Sequence, residues 1–168
     1  MKTLYFAGGC FWGLEKFFMS LPGIINTVVG YANGIGKDFA NYEAVCSGLT
    51  GFRETVMVSY DERQISTEKL CTAFYSVIDP TMFNRQGFDM GTQYQTGIYY
   101  SDANDIDKIA QVTSEEKLKY SEFYTEVRPL ENFFPAEEYH QKYLIKNPDG
   151  YCHISDSRIS NTKILLNL

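Results

Sequence analysis

Apolar residues recur along the chain at two spacings, one near two residues and one near 3.6, and the switches between them predict the elements. Residues 3–7 read as a short buried strand, followed by Gly8, Gly9 and Cys10. Leu14, Phe18 and Leu21 then repeat at helical spacing until Pro22 and Gly23 stop the helix, so Cys10 falls at a strand-to-helix turn. Residues 24–32 are rich in β-branched side chains and predict a second strand, which ends in a Gly/Asn/Asp-rich loop over 33–41. The clearest strand is 51–61. Its alternation puts Phe52, Glu54, Val56, Val58 and Tyr60 on one side and Arg53, Thr55, Met57 and Ser59 on the other.

Ser66 fits a helix N-cap, with Ile65 and Leu70 spaced as a hydrophobic staple, and Leu70, Phe74 and Val77 continue the apolar stripe up to Asp79-Pro80. Residues 80–95 predict a long ordered loop, of a length that often carries function in a compact domain. A strand over 96–100, an exposed charged helix over 103–120, a strand over 123–130 and a short helix over 136–146 follow. Beyond the turn signal Asn147-Pro148-Asp149-Gly150 no strong periodicity returns, which predicts an irregular, mobile C-terminal tail carrying Cys152. Two strands fall consecutively between the first two helices. This order, βαββαβ with additions, predicts an α+β fold with a ferredoxin-like α/β sandwich core, in one domain over residues 1–168.

The formal net charge of −6 argues against a nucleic-acid partner, since no excess of Lys and Arg is present to displace counterions from phosphates. No apolar run approaches the roughly 20 residues needed to span a bilayer. The apolar stretch at 4–7 is too short for a signal-peptide core, so the expected compartment is the cytoplasm, where thiols stay reduced. Thirteen Tyr, twelve Phe and one Trp are more rings than a core of this size requires, and some are expected to line a pocket. The four cysteines, Cys10, Cys46, Cys71 and Cys152, show no paired short spacing, and with only His140 and His153 as histidines no metal site is expected.

Cys10 is singled out by position. A helix N-terminus favours a thiolate there, and Gly8, Gly9 and Gly13 leave room for another molecule, although a free cysteine at such a place can also be simple core. Glu54 is a carboxylate on an apolar strand face, where desolvation raises its pKa and suits it to act as an acid; the alternative is an exposed strand end. Tyr42, Asp89 and Tyr94 lie in or beside loops and can add hydrogen bonds. Cys71 reads as packed on its helix and Cys46 as core, whereas Cys152 has the freedom to reach another sulfur.

These residues carry a resemblance. Gly9-Cys10-Phe11-Trp12-Gly13, directly after an apolar strand, resembles the signature of the peptide methionine sulfoxide reductase A family. Further blocks resemble the family in the family's order: Gly30-Tyr31, residues 42–48, Thr50-Gly51 with Glu54, Asp79-Pro80-Thr81, residues 84–87, Asp89, residues 91–94, Ala136-Glu137 and residues 139–141. The resemblance runs to about Cys152. It implies Cys10 as nucleophile, Glu54 as proton donor, Tyr42 and Tyr94 as hydrogen-bond partners of the sulfoxide oxygen, and Asp89 as an ordering group. It also implies a methyl pocket formed by Phe11 and Trp12, reduction of the S epimer, and a Cys10 sulfenic acid resolved by Cys152. Thioredoxin or another dithiol would reopen the disulfide, with no metal or organic cofactor. The chain departs from the family's pattern at Phe52 and Ile78, where many members have His, and at Gln95, where a basic residue is common. Three rival readings of Cys10 remain from sequence: a hydrolase nucleophile paired with His140, a thiol peroxidase, and part of a non-catalytic binding module.

Overall fold

The computed structural model describes residues 1–168. Eight strands and six helices follow in chain order: β1 (Lys2–Ala7), α1 (Phe11–Met19), β2 (Ile24–Ala32), α2 (Tyr42–Cys46), β3 (Arg53–Tyr60), α3 (Thr67–Val77), β4 (Arg85–Gln86), β5 (Asp89–Met90), β6 (Gly97–Tyr100), α4 (Ile106–Lys117), β7 (Glu126–Pro129), β8 (Phe133–Pro135), α5 (Tyr143–Lys146) and α6 (Asp156–Leu166). Six strands form one sheet in the order β7-β6-β1-β3-β2-β8. Its central four, β6-β1-β3-β2, are antiparallel throughout, which is the ferredoxin-like arrangement that the strand and helix order predicts. Phe6 of β1 packs against Phe18 of α1 and Phe74 of α3, with ring centroids 4.7 and 5.1 Å apart, so both crossover helices share one buried layer on the sheet. The Ser66 hydroxyl accepts from the Lys69 N–H at 3.1 Å, and Ile65 and Leu70 are buried beside it, as the cap and staple predict.

Four expectations need correction. The predicted helix over 136–146 is broken: Glu138–His140 is a single 3-10 turn, Lys142 takes a left-handed backbone (φ 50°), and only Tyr143–Lys146 is α-helical. Glu15, buried on α1, accepts the Lys142 N–H at 2.9 Å and fixes that break, while Gln141 bonds the main chain of Val29 on both sides. The loop 80–95 contains a small hairpin, with Arg85 paired to Met90 and Gln86 to Asp89. Beside it, β8 adds an edge to β2 that periodicity did not reveal.

The largest correction is the tail. Residues 151–155 are held in place, and α6 follows them. Ser155 caps α6, Ile159 and Thr162 are buried on α3, and the Thr162 and Ser76 hydroxyls lie 2.8 Å apart. Only those two side chains of α6 are buried, one of them polar, so the helix leaves almost no apolar period to read.

Candidate active site

The strand-to-helix turn after β1 builds the site. Gly9 has φ +83°, open to glycine at little cost, and its missing side chain admits Gln86, whose Cβ would lie 2.8 Å from a Cβ on Gly9. Gln86 in turn accepts from the Asp79 N–H at 2.6 Å and donates to the Asp79 carbonyl at 3.0 Å, which draws the loop after α3 over the turn. Cys10 is the N-cap of α1 and has no capping side chain, so the first N–H groups of the helix are left for other partners.

One of those partners is Glu54. The Phe11 N–H donates to Glu54 Oε2 at 3.1 Å. Glu54 is 2% exposed, which excludes the exposed strand end. Burial pushes its carboxyl up to about 8, against the opposing pull of the Phe11 N–H, so it holds its proton at neutral pH.

A cavity of about 180 Å³ is lined by Cys10, Phe11, Trp12, Tyr42, Glu54, Asp89, Tyr94 and Tyr151. Seven of these eight are the residues singled out from sequence. Burial pushes the Tyr42 phenol up to about 12 and raises Tyr94 further, so both keep O–H groups to donate. Asp89 reaches the rim on β5 and accepts from the Tyr151 hydroxyl at 2.9 Å. Trp12 is fixed on two sides: its ring stacks on Tyr143 at 3.7 Å, and Nε1 donates to His140 Nδ1 at 3.0 Å.

Burial opposes the thiolate that a helix start favours at Cys10. Burial, and then the nearby Glu54 charge, raise the thiol well above its ordinary range and outweigh the lowering by the Trp12 and Gly13 N–H groups. The resting group is a thiol, because at 8% exposure desolvation exceeds what two helix N–H groups return. In the neutral His140 ring the Nδ1 lone pair is taken by the Trp12 N–H and the proton sits on Nε2, so the ring has no free acceptor to serve Cys10 as the base that the hydrolase reading requires.

Cys152 lies outside the cavity lining but beside the same helix start. A Cβ on Gly13 would lie 3.1 Å from Cys152 Sγ and 2.8 Å from His153 Nδ1, so this segment rests directly on the first turn of α1. The Cys152 thiol donates to the Ile154 carbonyl at 3.0 Å, and His153 Nε2 bonds the Gly8 carbonyl at 2.8 Å. Cys71 is fully buried, as expected, but Cys46 is exposed. In the short α2, Val45 turns inward, and the next residue, about 100° further round, faces solvent.

Sequence reasoning missed two residues that shape the site. Tyr151 reaches the cavity only because the tail is ordered. Glu137 accepts from both the Tyr31 hydroxyl (2.9 Å) and the Tyr42 N–H (3.0 Å), and so sets the start of α2 that carries Tyr42. The Ala136-Glu137 block was the available signal. Phe52, Ile78 and Gln95 are all buried outside the cavity lining; Gln95 bonds the Asn84 N–H and the Tyr124 carbonyl. None of the three departures therefore lines the cavity of Cys10 and Glu54.

An α+β sheet that brings a buried thiol, a protonated carboxyl and two phenols around one small cavity, with a second thiol behind the same helix start, defines a thiol-bearing enzyme-like centre. The chain belongs to the peptide methionine sulfoxide reductase family, whose model matches residues 2–165. A similar curated protein is the peptide methionine sulfoxide reductase MsrA of Clostridium acetobutylicum, 54% identical over 155 residues that cover 92% of this chain and 95% of that one. Among solved structures, Mxr1 from Saccharomyces cerevisiae in reduced form is similar with a TM-score of 0.86 and 37% identity, covering 92% of this chain and 91% of that one. Mxr1 in complex with Trx2 is similar with a TM-score of 0.60 and 28% identity, over 84% of each chain. No helix is long and apolar enough to cross a membrane.

Proposed function

We infer that this chain is a peptide-methionine (S)-S-oxide reductase, a single catalytic domain over residues 1–168 that repairs oxidised methionine, free or in proteins, in the cytoplasm. The observation that carries this reading is the shared cavity of Cys10 and Glu54, each holding a proton at neutral pH.

A sulfoxide oxygen is a poor leaving group until it gains a proton, so sulfur attack and proton donation must coincide. Glu54 gives its proton to the oxygen and takes the thiol's proton in exchange, while Tyr42 and Tyr94 donate hydrogen bonds to the same oxygen. The sulfoxide S–O bond breaks, and oxygen passes to Cys10 as a sulfenic acid. The substrate sulfur is reduced by two electrons and Cys10 is oxidised by two. Asp89 orders the rim through Tyr151. The methyl group sits against Phe11 and Trp12. The opposite epimer would have to press its oxygen against those rings without a partner, which costs a buried hydrogen bond.

Cys152 then displaces hydroxide from the Cys10 sulfenic acid, giving a disulfide and water. Thioredoxin or a similar dithiol reduces that disulfide by exchange. The Trx2 complex of the relative Mxr1 supports this partner. The deciding assay is dithiothreitol-driven reduction of dabsylated methionine sulfoxide, resolved by epimer. The S form should be consumed and the R form left, and Cys152→Ser should release one methionine per chain and then stall with thioredoxin. Reduction of both epimers alike, or thioredoxin-driven cycling of Cys152→Ser, would overturn the reading.

A further inference from the structure

The resolving step needs a base, and one side chain beside Cys152 is prepared for it. A carbonyl oxygen has no proton to give, so in the His153 bond to the Gly8 carbonyl the ring nitrogen Nε2 must donate. In the neutral ring Nδ1 is then a bare lone pair. That atom is buried and has no hydrogen-bond partner in the protein, a costly condition for an acceptor unless a role retains it. Nδ1 and Cys152 Sγ converge on one point, the empty Cβ position of Gly13, at 2.8 and 3.1 Å. Cys10 lies three residues away at the start of the same helical turn.

We propose that His153 is the general base of the resolving step, taking the Cys152 thiol proton on Nδ1 as Cys152 attacks the Cys10 sulfenic sulfur. In the resting chain the Cys152 S–H points to the Ile154 carbonyl, an acceptor that cannot remove a proton. Turning the thiol from that carbonyl to Nδ1 releases the sulfur as a nucleophile. The new S–S bond forms, the Cys10 S–O bond breaks, and the proton held on Nδ1 passes to the departing hydroxide to make water. The Gly8 bond keeps the ring in the tautomer this requires. The charged groups acting on the ring are Asp89 of β5, which favours the protonated ring, and Arg158 of α6, which opposes it. Asp79 and Tyr120 line a second cavity, separate from that of Cys10 and Glu54, together with His153 and Arg158. Burial holds His153 below its ordinary range, so it stands neutral at pH 7 and able to accept.

The inference rests on Cys152 being the resolving thiol, and its test separates the two claims. Rapid-quench reactions with one equivalent of N-acetylmethionine S-sulfoxide and no reductant are followed for methionine released and for thiols lost to disulfide. In His153→Gln, whose amide can keep the Gly8 bond but cannot take a proton, disulfide formation should slow about a hundredfold, the lower end of what a placed general base supplies. Dimedone should then trap the accumulated Cys10 sulfenic acid. Disulfide formation at the wild-type rate in that variant would overturn the proposal. Absence of any methionine from the wild-type chain would overturn the underlying reading as well. The unaltered protein gives a check that does not depend on a variant folding: its disulfide rate should be level near neutral pH and fall only on the acid side of the ordinary histidine range, as the ring is protonated. A rate that climbs steadily with pH over that range, as unaided thiolate formation dictates, would also overturn the proposal.

Discussion

The Phe11 N–H donates to Glu54 Oε2 at 3.1 Å, which ties the turn carrying Cys10 to β3 in the middle of the sheet. The nucleophile and the acid therefore do not depend on a mobile loop for their alignment. The same bond satisfies one orphan donor of α1 and leaves the buried carboxyl facing the cavity.

That burial makes Glu54 a measurable load on the fold. Its carboxyl is raised from an ordinary 4.5 to about 8, so the folded chain binds this proton more tightly than the unfolded chain does. The group's contribution to stability is full below about pH 4.5, declines as pH rises, and levels off above about 8. In Glu54→Gln this decline is absent. Thermal unfolding should show the variant gaining on the wild type steadily from about pH 5 to 8, and parallel curves would contradict the assignment.

Gly13→Ala should harm recycling although alanine is the better helix former by about 1 kcal/mol. The added Cβ would meet His153 Nδ1 and Cys152 Sγ, and the segment must shift outward. Thioredoxin-driven turnover is expected to fall about tenfold or more, since small misplacements of reacting atoms are costly. Dithiothreitol, which can reduce the Cys10 sulfenic acid directly, should be affected much less. Comparing the two reductants in one preparation checks this.

Ser66→Ala serves as a remote control. It removes the cap on the Lys69 N–H, far from the cavity, and should cost about 1 kcal/mol, or roughly 2–4 °C in Tm, with activity at 25 °C unchanged.

The parts of the fold that were legible in the sequence are those where one apolar face meets one core. Residues 24–32, the alternation through Glu54 and the Ser66 cap all follow from local pattern, and β2 has the bounds the pattern predicts. Elements held by polar side chains were not legible. Lys142 breaks a predicted helix because Glu15, distant in sequence, takes its N–H. Helix α6 hid because Ile159 and Thr162 alone face inward. The residues of the cavity were legible mostly through the Gly-Cys-Phe-Trp-Gly block and its companions, whereas the charge state of Cys10 was not. A helix start suggested a thiolate, and only the depth of burial shows that desolvation wins.

The most direct test of the joint action of Cys10 and Glu54 is the rate of methionine release in a single turnover, followed across pH. The wild-type rate should decline as pH rises through about 8, where Glu54 loses its proton. Cys10→Ala should release nothing, and Glu54→Gln should release methionine about a hundredfold or more slowly, without the bend near 8. A Glu54→Gln chain that keeps the wild-type rate and the same bend would contradict the account.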